Sequence, residues 1–282
     1  MIFALLPLFA QDPEVIIPEA AVNAESLRPA SSQALYAVED PGSGATSRLV
    51  TTWSHKPLVL ELSNGETVNV VGGVISANLL LGWEHGPWRV SANAPLHLCL
   101  NSDVGTASPS FGDPDLSLRW STQRDTPMQA GVSARVVPSF GASVRRLGYP
   151  TLTGDLLGLW AWNHKAHRLI FNLGFAYRPP ADSTGTPGDS AVLARGAWLL
   201  SPSSSLTLGL ELNAQSLPQA WGENIPSNSA EMLLGARWST GPLRVMAAAG
   251  PGLGQVPGTP ALRVALGAEL RPTGPDQRPP DP

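Results

Sequence analysis

The sequence predicts an all-β fold, an antiparallel up-and-down transmembrane β-barrel of about twelve strands, and three observations carry that prediction. The first is a strict period of two in hydrophobicity. In Leu206-Thr-Leu-Gly-Leu-Glu-Leu-Asn-Ala214 every even position is apolar and every odd one is polar or glycine. Ala230–Trp238, Leu243–Ala249 and Leu262–Leu270 repeat the pattern. Such alternation marks strands with one apolar and one polar face. The second is that short and long connections alternate along the chain. The third is where tryptophan falls, together with a scarcity of lysine.

Composition bounds the answer. A chain of 282 residues fits one barrel or sandwich. Charged residues make up 14%, against roughly 25% in soluble domains. Only two lysines occur, Lys56 and Lys165, beside sixteen arginines. A net charge of -4 gives no basic footprint for nucleic acid. Cys99 stands alone, so neither an internal disulfide nor a multi-cysteine metal cluster is available. No apolar run reaches the length of a membrane-spanning helix, which leaves strand-built crossings open.

In chain order, residues 1–10 (MIFALLPLFA) read as the apolar core and end of a secretory signal, without its basic leading residues. Residues 11–44 read as an irregular, proline-bearing lead-in. Within it, Gln33–Glu39 fits an extra strand, or a plug or cap on the barrel. The barrel spans 45–271. Its first strands, Ser47–Leu62 and Glu66–Trp83, flank Asn64-Gly65, the strongest short hairpin signal. Lys56-Pro57 interrupts the first and predicts a bulge. Strands follow at Trp88–Leu100, Asp115–Thr122, Met128–Pro138, Leu152–Asn163, Arg168–Arg178, Ala191–Leu200, Ser205–Gln215, Ala230–Ser239, Leu243–Ala249 and Ala261–Leu270. Lengths of about 9–11 residues suit a tilted membrane crossing. Long loops at 101–114, 139–151, 179–190, 216–229 and 250–260 alternate with short turns, the wiring of outer-membrane barrels. Residues 272–282 form a proline-rich tail.

The polar face of these strands carries Arg89, His97, Asp115, Arg119, Arg135, Asp155, Arg195, Glu211, Glu231, Arg237, Arg244, Arg263 and Glu269. These are the candidate lumen charges, seven arginines against five carboxylates, with Glu231 and Arg237 expected beside Arg244. Leu193, Leu233 and Met246 lie on the same side, and Leu152–Asn163 alternates only loosely. Trp83, Trp120, Trp160, Trp162, Trp198 and Trp238 fall on the apolar face near strand ends beside short turns, and Trp88 opens the next strand at that level. A ring of tryptophan at one rim is what a bilayer interface favours. Phe111, Phe140, Tyr149, Tyr177 and Trp221 form a looser set at the other rim. The alternative is a soluble carbohydrate- or lipid-binding β-protein with the apolar face turned inward.

Leu-Leu-Gly-Ala-Arg-Trp238, Ala249-Gly-Pro-Gly-Leu-Gly254, Pro257-Gly-Thr-Pro260 and Leu262-Arg-Val264 resemble the N-terminal barrels of OmpA-family outer-membrane proteins, in the branch with larger barrels. His55-Lys-Pro-Leu-Val59 and Gly112-Asp-Pro-Asp-Leu-Ser-Leu-Arg119 fit the same branch. The resemblance covers roughly residues 45–272 and implies no catalytic residues. In that family the tail leads into a periplasmic peptidoglycan-binding domain, which this sequence does not show.

Chemical motifs are weak. His164 and His167 flank Lys165 in a short turn, where spacing alone fixes no metal site. His97 has no partner visible in the sequence. Gly250-Pro-Gly-Leu-Gly254 follows a strand without opening a helix, which argues against phosphate binding. Neither a cofactor nor a metal is expected, and no enzyme activity. The expected partners are outer-membrane lipids and small hydrophilic solutes, for a barrel that is either structural or a narrow passive pore.

Overall fold

In a computed structural model the described residues are Glu39, 47–61, 67–100, 109–122, 126–138, 152–179, 190–218, 228–254 and 259–270. The signal-like segment, the tail, Asn64-Gly65 and all of the lead-in except Glu39 lie outside them. So do Phe140, Tyr149 and Trp221. The strands are β1 (Ser47–Glu61), β2 (Thr67–His85), β3 (Trp88–Leu100), β4 (Pro109–Phe111), β5 (Asp115–Ser121), β6 (Met128–Val137) and β7 (Thr153–His164). They continue with β8 (His167–Tyr177), β9 (Ala191–Leu200), β10 (Leu206–Ser216), β11 (Asn228–Thr240), β12 (Leu243–Gly254) and β13 (Leu262–Leu270).

Every pairing is antiparallel, and β1 pairs with both β2 and β13, which closes the sheet. Closure leaves the sheet without an edge strand among the described residues. β4 and β5 share one stave. Leu98 pairs with Pro109 and Leu96 with Phe111, then Asn93 with Asp115, a register slip of one across Gly112-Asp113-Pro114. The Gly112 N–H donates to the Pro95 carbonyl at 3.0 Å, holding that kink to β3. The result is a twelve-staved closed barrel, as expected.

Details differ from the sequence reading. Part of the expected 101–114 loop is β4, because the chain follows the free upper half of β3. β12 runs on to Gly254, past the point where side-chain alternation fades into Gly250-Pro-Gly, since backbone pairing does not depend on apolar side chains. Strand lengths range from three residues in β4 to nineteen in β2, wider than expected. The bulge at Lys56-Pro57 is present. Register shifts fall between His55 and Leu58 and between Leu58 and Val59, and Lys56 has φ +48°.

The tight turns also follow from sequence. Gly86 and Gly241 take φ near +56° and +55° and are each followed by proline. A positive first φ suits the twist of a two-residue hairpin, and glycine meets it without Cβ strain. Lys165 occupies the equivalent place in the β7–β8 turn at φ +52°.

The faces are sorted as in a membrane barrel. Leu210, Leu234 and Leu266 are 37%, 68% and 56% exposed, whereas Arg89, Arg119 and Arg263 are 1%, 2% and 0% exposed. Leucine thus lies outside and arginine inside, the reverse of a soluble barrel. The interior also holds apolar patches. Leu233 and Met246 pack with Val50, Leu80, Ala248 and Ala265. Leu157, Leu159 and Leu193 pack with Ala176 and Ala191. Those leucines on the inner face are why Leu152–Asn163 alternates poorly in sequence.

Candidate functional site

The inward side chains sit in cross-strand rows, because residues facing one another across an antiparallel pair bring their Cβ atoms to within about 5 Å. Glu269 of β13 is paired with Arg48 of β1 on one side and Arg244 of β12 on the other. It accepts from the Arg48 guanidinium and lies 3.6 Å from Arg244 Nη1. Arg135 and Asp155 form the matching pair between β6 and β7. Arg263, fully buried, reaches across β12 to Glu231: its Nε–H donates to Oε2 at 2.7 Å and Nη2 to Oε1 at 3.0 Å. Its Nη1 donates to Ser54 Oγ at 2.9 Å. A two-point Arg–carboxylate contact of this kind is charge-assisted and geometrically specific.

Of the sequence-derived charges, Arg89, Asp115, Arg119, Arg195, Glu211, Glu231, Arg263 and Glu269 are buried. Arg135, Asp155, Arg237 and Arg244 are half-buried on the same face. Two expectations need correction. Glu231 bonds Arg263 rather than grouping with Arg237 and Arg244, because the register sets Arg237 against Met246 and Arg244 against Ser239. His97 has a partner: its Nδ1 lies 2.8 Å from Ser76 Oγ on the paired strand β2.

Sequence reasoning missed several inward groups. Arg48 is 3% exposed, and its parity with Thr52 and Ser54 was the available signal. Glu84 pairs with Arg89 in register, and Asp113 is fully buried in the β4–β5 kink. Arg168 donates to Gln129 Oε1 at 2.7 Å and also to Asn163. Among the described residues, Glu39, Glu84 and Asp113 offset much of the arginine excess. Gly82 makes room for this packing, since a Cβ there would lie 2.4 Å from Arg89 Nη2.

Two small cavities lie between the inward side chains. Glu39, Asp115, Ser117, Ser133, Arg135, Asp155, Leu157 and Arg195 enclose a cavity of about 20 Å³. Another of about 20 Å³ lies among Leu193, Arg195, Asn213, Gln215, Ser229 and Glu231. Each has room for about one water.

Trp83, Trp88, Trp120, Trp160, Trp162, Trp198 and Trp238 are all outward, 39–63% exposed. Trp88 pairs directly with Trp120, and Trp238 with Leu206. Imidazoles stack on three of them: Trp83 on His85, Trp162 on His164 and Trp198 on His167, with centroids 5.3–5.9 Å apart. The Trp198 indole N–H donates to His167 Nδ1 at 3.2 Å. His164 and His167 thus serve as stacking partners at the turn. The signal for the first two stacks was the i, i+2 spacing that puts both rings on one strand face.

No protein-family model and no curated protein matches the sequence. Solved structures do. An outer membrane channel from Pseudomonas putida F1 superposes with a TM-score of 0.59 at 11% identity, over 87% of this chain and 99% of that one. The NanC porin gives 0.56 at 10% identity, over 80% of this chain and 99% of that one. At such identity the likeness is one of fold: this chain has the fold of outer-membrane β-barrels.

Proposed function

We propose that the protein resides in the outer membrane of a Gram-negative-type cell envelope and is a narrow passive pore for small hydrophilic solutes. The observation that carries this reading is the inversion of faces, with leucine and tryptophan outside and ion-paired arginine and carboxylate rows inside. Ion pairs offset much of the interior charge, and polar groups run along it from the Glu269 row to the Glu231–Arg263 pair. The channel and porin that share the fold add support. Lipids of the outer membrane are the partners of the outer face, and the tryptophan ring is its interfacial belt. The likeness of the last three strands to OmpA-family barrels belongs to the same proposal, as does an exported precursor with residues 1–10 as its signal. No catalytic role enters it.

A second reading, a structural barrel closed by its ion pairs, is favoured by one observation: the cavity beside Glu39 and that beside Asn213 each have room for about one water. Planar-bilayer recording separates the two. Discrete conductance steps support the pore; their absence from correctly folded protein overturns it and leaves the structural barrel. A soluble carbohydrate- or lipid-binding protein would stay monodisperse without detergent, which the outward apolar face argues against.

A further inference from the structure

We infer that Glu39, contributed by the segment before β1 and by no strand of the wall, is the constriction and charge-selectivity residue of the barrel interior. It is 5% exposed although it lies outside the barrel sequence. Its backbone N–H donates to Asn172 Oδ1 at 2.7 Å, and Asn172 Nδ2 donates to the Glu39 carbonyl at 3.0 Å. Asn172 is fully buried on the inner face of β8. Its amide therefore grips residue 39 at two points, as a neighbouring strand would. A buried backbone needs such partners, since its N–H and C=O have left water.

Position gives the residue its consequence. Glu39 lines the cavity of about 20 Å³ with Asp115, Arg135, Asp155 and Arg195, side chains drawn from β5, β6, β7 and β9. The lining supplies two arginines and two aspartates, and Arg89 acts electrostatically on Glu39 as well. Glu39 adds a third carboxylate beside a cavity with room for about one water. It both occupies the interior and offsets arginine charge that would otherwise favour anions. Small ions crossing this level meet a carboxylate that no strand of the wall supplies.

This inference rests on the pore reading, and its tests fail separately from it. In planar bilayers under a salt gradient, Glu39→Gln should move the reversal potential toward the anion side with the step size little changed. Asn172→Ala should release the grip and give larger or longer steps. Unchanged selectivity in Glu39→Gln, with steps present, overturns the inference. The second measurement needs no conduction. In full-length protein with Cys99→Ser, Glu39→Cys should react with a bulky membrane-impermeant maleimide about tenfold slower than the same protein also carrying Asn172→Ala, the factor that two modest hydrogen bonds supply. Heat-modifiable gel mobility checks that each variant is folded. Equal, fast labelling in both folded proteins overturns the placement of Glu39. Slow labelling without conductance in any variant refutes the pore while upholding Glu39 as an interior plug.

Discussion

Leu234→Arg tests the facing of the barrel most directly. Leu234 is the central residue of the thirteen-residue β11 and is 68% exposed. It lies four residues from Trp238, and at about 3.3 Å per residue and 45° tilt that is about 9 Å above the tryptophan rim. The apolar band of such barrels is about 25 Å tall, so the site is close to mid-membrane. An arginine on the lipid face there costs about 2–4 kcal/mol. Leu208 reads from sequence as an equivalent mid-strand site. The register corrects this: Leu208 pairs with Ala236, two residues from Trp238, only about 5 Å from the rim by the same arithmetic. Leu208→Arg should therefore cost less, nearer 1 kcal/mol. Arg237→Leu changes an inward, half-buried side chain and should leave insertion intact. Reversible urea unfolding in lipid vesicles, scored by heat-modifiable mobility, gives all three values. Equal losses for Leu234→Arg and Arg237→Leu would refute the facing of the strands.

Other outcomes follow from the interior pairs and the rim. Arg263→Leu strands the buried Glu231 carboxylate and should cost about 3–5 kcal/mol, while the double change with Glu231→Leu should cost less than the sum; additivity in a double-mutant unfolding cycle would show that the contact is not coupled. Tryptophan emission in vesicles should be quenched more by lipids brominated near the headgroup than by lipids brominated at the chain end, and stronger quenching at the chain end would remove the belt. His97→Ala leaves Ser76 Oγ without that contact inside the barrel and should cost about 1 kcal/mol in urea unfolding; a neutral result would mean that water replaces it.

Much of the fold was legible because a strand's side-chain period is two. Alternation fixes which residues share a face whatever the neighbouring strand is doing, so Arg89, Arg119 and Arg263 separate from Leu210, Leu234 and Leu266 on sequence alone. Tryptophan at strand ends gave the outward direction, and glycine–proline turns gave the stave boundaries.

Pairing was not legible, because it depends on register, which closure of the whole barrel and its stagger impose. No local pattern tells that Arg263 reaches over β12 to Glu231, or that Glu269 stands between Arg48 and Arg244. The fourth strand belongs to the same class, since Pro109–Phe111 becomes β only where β3 offers an unpaired edge. The hydrogen-bond partner of Glu39 belongs to the same class. It lies 133 residues along the chain, so only the assembled barrel could bring Asn172 to Glu39.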